Sequence, residues 1–289
     1  MTPTVTRTSG RAALVAGEFH FSAEDFRRIA AVLHGDSGIH LQEAKAPLVY
    51  SRLAKRLRAL GLESFRDYCE LVESGAGAAE RRSMLTALTT NVTRFFREPH
   101  HFDALSRDQL PALAAAARSG ARVRLWSAGC STGQEPYSMA MSVLDAIPDA
   151  PDRNVKILAT DIDPAVVETG REGVYSEEAL QGIPERYRKW LERAGPGQWR
   201  MAGPLRSIIA FRELNLFSGW PFTGKFDAIF CRNVAIYFET SAQARLWTRF
   251  AERLQPDGRL YVGHSERVSG HAFESCGLTA YRLARGVPA

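Results

Sequence analysis

The 289-residue sequence has few of the cysteines that stabilise small or secreted proteins through disulfides or bound metals. Its four cysteines are far apart and form no C-x-x-C pair. No group of histidines and cysteines has the spacing of a zinc site, so no metal site is predicted. We therefore expect reduced, buried thiols in a cytoplasmic protein. The cysteines are Cys69, Cys130, Cys231 and Cys276.

Long apolar runs and internal repeats are also missing. No run approaches the ~18 residues that a membrane-spanning helix needs, so membrane insertion is not expected. Residues 1–17 lack the apolar stretch of a signal peptide and are predicted to be a flexible tail. Hydrophobic residues make up 45% of the chain and charged residues 24%, which is typical of a globular protein with one large domain or two unequal ones.

The charge is mildly basic, with 37 Lys and Arg against 32 Asp and Glu. A net charge of +5 is compatible with an acidic partner, either nucleic acid or an acidic protein surface. Part of this charge lies in the segment 45–62, which contains no acidic residue. Arg52, Lys55 and Arg56 recur at helical spacing and share one face, for which a solvated surface is the simpler explanation.

The hydrophobic pattern of the sequence changes near residue 120. Residues 18–89 show helical periodicity, with Ser22 as a helix cap, and predict a small all-helical domain. Residues 90–120 form a helix-prone linker. Residues 121–289 alternate short β-rich runs with helices, which predicts an α/β domain with a doubly wound, Rossmann-like parallel sheet. The predicted strands are Val123–Trp126, Val155–Ala159, Ile208–Phe211, Phe226–Cys231, Arg259–Val262 and Leu278–Leu283.

One stretch, 172–215, is too long for a simple crossover between strands. It contains two Gly-Pro breaks, a predicted basic helix Glu185–Arg193 and a predicted strand Gln198–Ala202. We interpret it as a small β insertion at about 183–212.

Polar residues follow the predicted strands where a doubly wound sheet binds cofactors. The first strand runs into a turn with Gly129 and Gly133, and Glu135 opens the next helix. The spacing G-x-x-x-G favours a nucleoside with a short tail over a dinucleotide, although a purely structural tight turn fits as well. Asp161 ends the second strand and is placed to bind ribose hydroxyls, with helix capping as the alternative.

Residues after the later predicted strands could bind an adenine ring and face the reacting groups. Asn215 and Leu216 follow the third strand and suit the edge and face of an adenine ring. Arg232 and Asn233 follow the fourth strand, where they would face both cofactor and substrate. Tyr237 lies just beyond them, and periodicity alone assigns it equally well to the core. His264, after the fifth strand, is interpreted as structural.

Four longer motifs stand out: TTNVTRFFRE at 89–98, STGQEPYS at 131–138, FDAIFCRN at 226–233 and GHSE at 263–266. In this order they closely resemble the CheR family of bacterial chemotaxis methyltransferases, which methylate receptor glutamates with S-adenosylmethionine. The resemblance covers nearly the whole chain from about Phe19, including the helical module.

The resemblance implies S-adenosylmethionine as cofactor and S-adenosylhomocysteine as product. It implies that the segment before the main domain covers the cofactor and that Arg97 lies near the transferred methyl group. Gln134 departs from the family, where an acid is common, without threatening cofactor binding. The implied catalytic residues are Arg97 and Tyr237, and the implied cofactor-binding residues are Asn91, Thr93, Arg97, Glu135, Asp161, Asn215, Leu216, Arg232 and Asn233.

The resemblance also implies partners: the acidic cytoplasmic helices of methyl-accepting chemotaxis receptors. Because it places the basic helix at the receptor, the docking residues are expected to be Arg52, Lys55, Arg56 and Arg58. The loop Glu192–Gln198 is shorter than in members that dock a receptor's C-terminal peptide, so no dependence on such a tether is expected. Nucleic acid is disfavoured because the basic stretch lacks aromatic residues for base stacking. A monomer is expected.

Two alternatives remain open beside this hypothesis. One is an RNA or small-molecule methyltransferase on the same scaffold, and the other is a non-catalytic cofactor sensor. A glutamate substrate is already a carboxylate at neutral pH, since its pKa is about 4.3, so neither a general base nor a thiol nucleophile is expected.

Overall fold

The computed structural model describes residues 13–284. The chain divides into two compact units, Met1–Thr89 and Thr90–Ala289. Residues 1–12 of the predicted tail lie outside the described residues. The rest of that tail is not loose, because β1 (Ala13–Val15) pairs antiparallel with β2 (Phe21–Ser22). Phe21 anchors this pair, since its fully buried ring lies 4.3 Å from that of Phe65.

The first unit is otherwise helical, as predicted. Ser22 caps the first helix in a capping box with Asp25, so the predicted start is confirmed. Each helix buries one apolar stripe, and α1 packs on α3 while α2 packs on α4. The helices are α1 (Ala23–Ser37), α2 (Ala46–Leu60), α3 (Phe65–Glu73) and α4 (Ala78–Leu88).

The linker at the start of the second unit is helical but irregular. It comprises α5 (His100–Ala104), a π-helical turn Leu105–Gln109 and α6 (Leu110–Arg118). The turn ends on Gln109, whose amide donates to the carbonyl of Asp227 at 2.9 Å.

The second unit is built on a seven-stranded sheet, which confirms the predicted fold class. Its order is β11-β12-β10-β9-β3-β4-β8, and β12 runs antiparallel to its neighbours. The strands are β3 (Val123–Ala128), β4 (Val155–Asp161), β8 (Ile209–Glu213), β9 (Phe226–Cys231), β10 (Leu254–Val262), β11 (Phe273–Gly277) and β12 (Ala280–Leu283). The helices around it are α7 (Gln134–Ala146), α8 (Pro164–Glu172) and α10 (Thr240–Arg253).

Strand β11 was not predicted, because Glu274, Ser275 and Cys276 give it no apolar pattern. Its pairing with β12 outweighs the weak local preference. Cys276 is half-buried, whereas the other three cysteines are buried, and all four are free thiols.

The β insertion is present with different bounds. It is a three-stranded antiparallel sheet in the order β5-β7-β6, formed by β5 (Val174–Ser176), β6 (Leu191–Gly195) and β7 (Gln198–Met201). A short helix α9 (Gly203–Ser207) follows it. The predicted basic helix Glu185–Arg193 is wrong: a 3₁₀ turn occupies Glu185–Trp190, and the rest pairs with β7 across Arg193 and Trp199.

The sheet order places a crevice between β3 and β9. The chain leaves β3 toward β4 on one side and returns to β9 on the other, so the connecting segments diverge at the carboxyl ends of these strands. A doubly wound sheet binds ligands at such a switch point. Among the residues that the structure describes, no helix is both long and apolar enough to cross a membrane.

Candidate cofactor and active site

The glycine-rich turn after β3 closes tightly against its neighbours. The backbone amides of Gly129 and Cys130 both donate to the carbonyl of Thr160 at 2.8 Å. Gly129 has φ +90°, and a Cβ there would lie 2.3 Å from the side chain of Val234. Gly133 has φ +97°, and a Cβ there would lie 2.7 Å from the hydroxyl of Tyr175. Both glycines are therefore required by backbone conformation and by close approach.

The Asp161 carboxylate at the end of β4 organises this turn. One oxygen accepts the amide of Ser131 at 2.8 Å, and the other accepts the amide of Asp163 at 3.1 Å. Burial raises the pKa of Asp161, while these amides oppose the rise. A carboxylate has about four acceptor positions, so Asp161 can still accept a hydroxyl donor beside these amides. Helix capping falls instead to Asp163, whose side chain accepts the amide of Ala165.

Arg232, directly after β9, lies at the centre of the site with 2% of its side chain exposed. Its Nη1 donates to Glu135 at 3.0 Å, and its Nη2 lies 3.5 Å from Glu98 and donates to the carbonyl of Arg97. Glu135 also accepts the hydroxyl of Ser127 at 2.7 Å. Burial raises the pKa of Glu135, and the charge of Arg232 counteracts this. The guanidinium thus connects three segments that are distant in sequence.

The segment 91–98 is held in place by its aromatic residues. Phe95 packs edge-to-face on Tyr175 with ring centroids 5.1 Å apart, and Phe96 stacks on Tyr187 at 5.2 Å. Phe96 and Glu98 both have positive φ, at 50° and 55°. Such conformations cost energy and persist only where the surroundings impose them, often at functional sites.

Within this segment the predicted residues face neighbouring polar groups. The Asn91 amide donates to Asp163 at 3.2 Å, and its carbonyl accepts the hydroxyl of Ser131 at 3.0 Å. The Arg97 guanidinium donates to the carbonyl of Val92 at 3.1 Å and stays half-buried. Thr93 is also half-buried.

The predicted adenine side lies after β8. Asn215 accepts the amide of Phe217 through its side-chain oxygen at 2.8 Å, and Leu216 is buried. The ring of Phe217 packs edge-to-face on Phe238 at 4.7 Å, which joins the loops after β8 and β9. Tyr237 is half-buried at the end of the 3₁₀ turn Ala235–Tyr237.

The four predicted docking residues on α2 have unequal surroundings. Arg52 donates to three carbonyls at the end of α4, the shortest being 2.7 Å to Thr89. Arg56 forms a two-pronged pair with Glu80 at 3.0 and 2.6 Å. Arg58 pairs with Glu18 with both side chains half exposed, and Lys55 is exposed.

Two acids at the site, Glu98 and Glu266, were quoted in motifs without a role, and His264 was interpreted as structural. Glu98 accepts from the ring and backbone amide of His264, at 2.9 and 3.3 Å. Burial alone would raise the pKa of Glu98, but His264 and Arg232 bring it below the ordinary value. Glu266 accepts backbone amides after β9. Their positions after the FFR and GHS runs were the only sequence signal.

One group of side chains among residues 13–284 has the spacing of a metal site: Glu98, His100 and His101. Spacing rules for histidine pairs on helices do not include adjacent histidines, so this group was not predicted. The Arg232 guanidinium already lies 3.5 Å from the Glu98 carboxylate. A neighbouring positive charge disfavours a metal cation there.

Comparison with known proteins identifies the family. Residues 91–282 match the family described as CheR methyltransferase, SAM binding domain. Residues 24–89 match CheR methyltransferase, all-alpha domain. The chain belongs to the CheR methyltransferase family.

Curated relatives cover almost the full length of this family member. A probable chemotaxis protein methyltransferase of Rhizobium etli is 53% identical over 258 residues, which cover 87% of this chain and 96% of the relative. Chemotaxis protein methyltransferase 2 of Pseudomonas aeruginosa is 42% identical, with 92% and 95% covered. The chemotaxis protein methyltransferase of Escherichia coli is 41% identical, with 90% and 91% covered.

The CheR family binds S-adenosylmethionine, and the residues of this site suit that cofactor. The crevice between β3 and β9 is flanked by a glycine turn, by the Asp161 carboxylate and by a buried guanidinium. The Nε of Arg232 is buried and has no hydrogen-bond partner among the described residues, so a donor faces this region. The enzyme is a methyltransferase that depends on S-adenosylmethionine.

Proposed function

We propose that this enzyme methylates the side-chain carboxylate of glutamates on methyl-accepting chemotaxis receptors, acting in the cytoplasm. The observation that carries the proposal is the segment 91–98, whose Arg97 carbonyl is bound by buried Arg232 while the Arg97 side chain remains half-buried. This arrangement offers a fixed cation beside the cofactor crevice. The names of the relatives, all chemotaxis methyltransferases, support the same substrate class.

The reaction needs placement rather than proton transfer. A glutamate side chain is ionised at neutral pH, so its oxygen can attack directly. S-adenosylmethionine would supply a sulfonium methyl group, so that a new O–C bond to the glutamate would replace the S–C bond of the methyl group, with S-adenosylhomocysteine as the leaving group. Arg97 orients the carboxylate by a charge-assisted bond, and Tyr237 holds it in line.

On the cofactor side, we assign roles by the position of each residue around the crevice. Asp161 binds the ribose hydroxyls, and Asn215 with Leu216 binds the adenine ring. The remaining residues line the methionine end of the cofactor. These are Asn91, Thr93, Arg97, Glu135, Arg232 and Asn233.

Substrate docking by the basic face of α2 is part of the proposal, and the two exposed members support it best. Lys55 and Arg58 present charge to solvent, whereas Arg52 and Arg56 also hold α4 and Glu80. Attraction between this face and an acidic receptor helix should weaken with salt.

We also propose that the enzyme works without a C-terminal receptor tether. The hairpin between β6 and β7 turns on Pro196 and Gly197 alone, since most of the short loop belongs to the strands. Calorimetric titration with a receptor C-terminal peptide should show no heat of binding, and measurable binding would overturn this part.

The test of the function is transfer of labelled methyl groups to a receptor cytoplasmic fragment. If mild base releases the label, the product is a carboxyl ester, which supports the proposal. Label in RNA or in small molecules, or no label despite cofactor binding, would select one of the alternative functions.

A further inference from the structure

The buried carboxylate of Glu266 gathers four backbone amides from two loops. One oxygen accepts Asn233 at 2.8 Å and Gly263 at 2.6 Å. The other accepts Val234 at 2.9 Å and Ile236 at 3.2 Å. Glu266 is 4% exposed, so nearly all of its hydrogen bonding is to these donors rather than to water.

The loop that Glu266 binds contains a residue in an unfavourable backbone conformation. Asn233 has φ +59°, a left-handed conformation that is uncommon for a residue other than glycine. It follows Arg232 directly, so its backbone sets how the chain leaves β9 beside the crevice. An ionised acceptor makes amide bonds about twice as strong as a neutral one, which offsets this backbone cost.

At Gly263, on the other side of this loop, there is no space for a side chain. A Cβ at Gly263 would lie 2.7 Å from the side-chain nitrogen of Asn233, 2.8 Å from its backbone nitrogen and 2.9 Å from the Glu266 carboxylate. The glycine lets β10 end against the loop after β9. The GHSE motif thus supplies both the acceptor and the space that this loop needs.

We propose that Glu266 is a positioning residue for the cofactor site, which sets Arg232 and Asn233 by holding the backbone at 233–236. The proposal rests on the assignment of Arg232 and Asn233 to the cofactor. Glu266 itself touches neither cofactor nor substrate. The experiment below therefore separates cofactor binding from fold stability.

The experiment measures S-adenosylhomocysteine affinity by calorimetry for the full-length protein and for Glu266→Gln. The amide keeps one acceptor oxygen and turns a donor toward amides that already donate. We expect the Kd to rise about tenfold or more, which corresponds to about 1.4 kcal/mol. The KM for the cofactor should rise with it, while the KM for the receptor fragment stays unchanged.

Asp227→Asn is the matched control. Asp227 lies at the opposite end of β9, is half-buried and also accepts a backbone amide, that of Arg124 at 2.7 Å. Its amide variant should lower the melting temperature without changing the Kd. An unchanged Kd in Glu266→Gln, or an equal rise in both variants, would overturn the proposal.

Gly263→Ala decides the question if Glu266→Gln does not fold. It displaces the same loop from the other side, and the same rise in Kd is expected; an unchanged Kd would overturn the proposal. If the unaltered protein binds S-adenosylhomocysteine but methylates no receptor, the proposed function fails while the role of Glu266 is still decided by the Kd.

Discussion

Both units of the molecule contain an arginine–glutamate pair with a poorly exposed carboxylate. Arg56 and Glu80 form it in the helical unit, with 32% and 8% of the side chains exposed. Arg232 and Glu135 form it in the α/β unit, with 2% and 11% exposed. The same two residue types are used, but their surroundings differ.

The helical pair is complete in itself. Glu80 accepts both prongs of Arg56 and the hydroxyl of Tyr68 at 2.9 Å. Arg232, by contrast, divides its donors between Glu135, Glu98 and the Arg97 carbonyl, and its Nε has no partner among the described residues. The first pair therefore stabilises the fold of its unit, whereas the second joins segments around the crevice.

The largest effect should come from replacing Arg232 or Arg56 by methionine. Arg232→Met leaves Glu135 and Glu98 buried without a cation, a loss of the order of 3–5 kcal/mol for a buried pair. We expect loss of both S-adenosylhomocysteine binding and thermal stability. Arg56→Met should lower the melting temperature alone. Equal loss of S-adenosylhomocysteine binding in both variants, measured by calorimetry, would contradict the different roles of Arg232 and Arg56.

Arg97→Ala should lower turnover about 100-fold, in the range seen when one charge-stabilising donor is lost. The side chain makes one internal hydrogen bond, and the backbone carbonyl that Arg232 binds is kept. Because Arg97 is also assigned to the methionine end of the cofactor, affinity for S-adenosylhomocysteine should fall as well, but by much less than turnover. Single-turnover methyl transfer with saturating cofactor measures the effect, and near-full turnover would remove Arg97 from its catalytic role.

The region around Arg232 should also respond to acid. Burial, followed by the charges of Arg232 and His100, lowers the pKa of His101 to about 3, although Glu98 opposes this. In the unfolded chain His101 takes up a proton near pH 6.5, whereas in the folded protein it does not. Above pH 6.5 His101 therefore does not lower the free energy of unfolding. This free energy should fall by up to about 1.4 kcal/mol per pH unit as the pH drops toward 3.

Urea unfolding at neutral and mildly acidic pH checks this dependence. His101→Gln should flatten it, because glutamine does not titrate in this range. His34→Gln, at an exposed position on α1, serves as the control and should leave the slope unchanged. A slope that persists in His101→Gln would assign the acid response elsewhere.

The smallest effect concerns the outer face of the helical unit. Lys55→Glu should raise the KM for a receptor fragment several-fold at low salt and less at high salt, as expected for exposed charges. Arg66→Glu makes the same charge change at an exposed position on α3 outside the docking set. Equal kinetics for the two variants would remove α2 from the docking surface.

The periodicity of the sequence was enough to predict the sheet, the helical unit and the strand ends at which the site lies. Five parallel strands with apolar runs such as Phe226–Cys231 were found from local pattern alone. Strand β11 was missed because it is polar and depends on its partner. The basic segment 185–193 looked helical because charge and aromatic spacing do not reveal a pairing with β7.

The sequence singled out residues that the structure places around the crevice, but it did not show how they are connected. Asp161, Glu135 and Arg232 were singled out from their positions after strands. No local pattern shows that Arg232 binds the carbonyl of Arg97, which is 135 residues away in sequence. The bond between Arg56 and Glu80 was hidden for the same reason, so a structural arginine was assigned to docking alone.

The site around Arg232 is proposed to transfer methyl groups to glutamate carboxylates, and the modified residues can be identified. The measurement is mass spectrometry of a receptor cytoplasmic fragment that has been incubated with the enzyme and S-adenosylmethionine. We expect glutamate-containing peptides to gain the mass of one methylene group and to lose it in mild base, while Arg97→Ala modifies them about 100-fold more slowly. Methylation that resists base, or that persists when the acceptor glutamates are replaced by alanine, would contradict the claim.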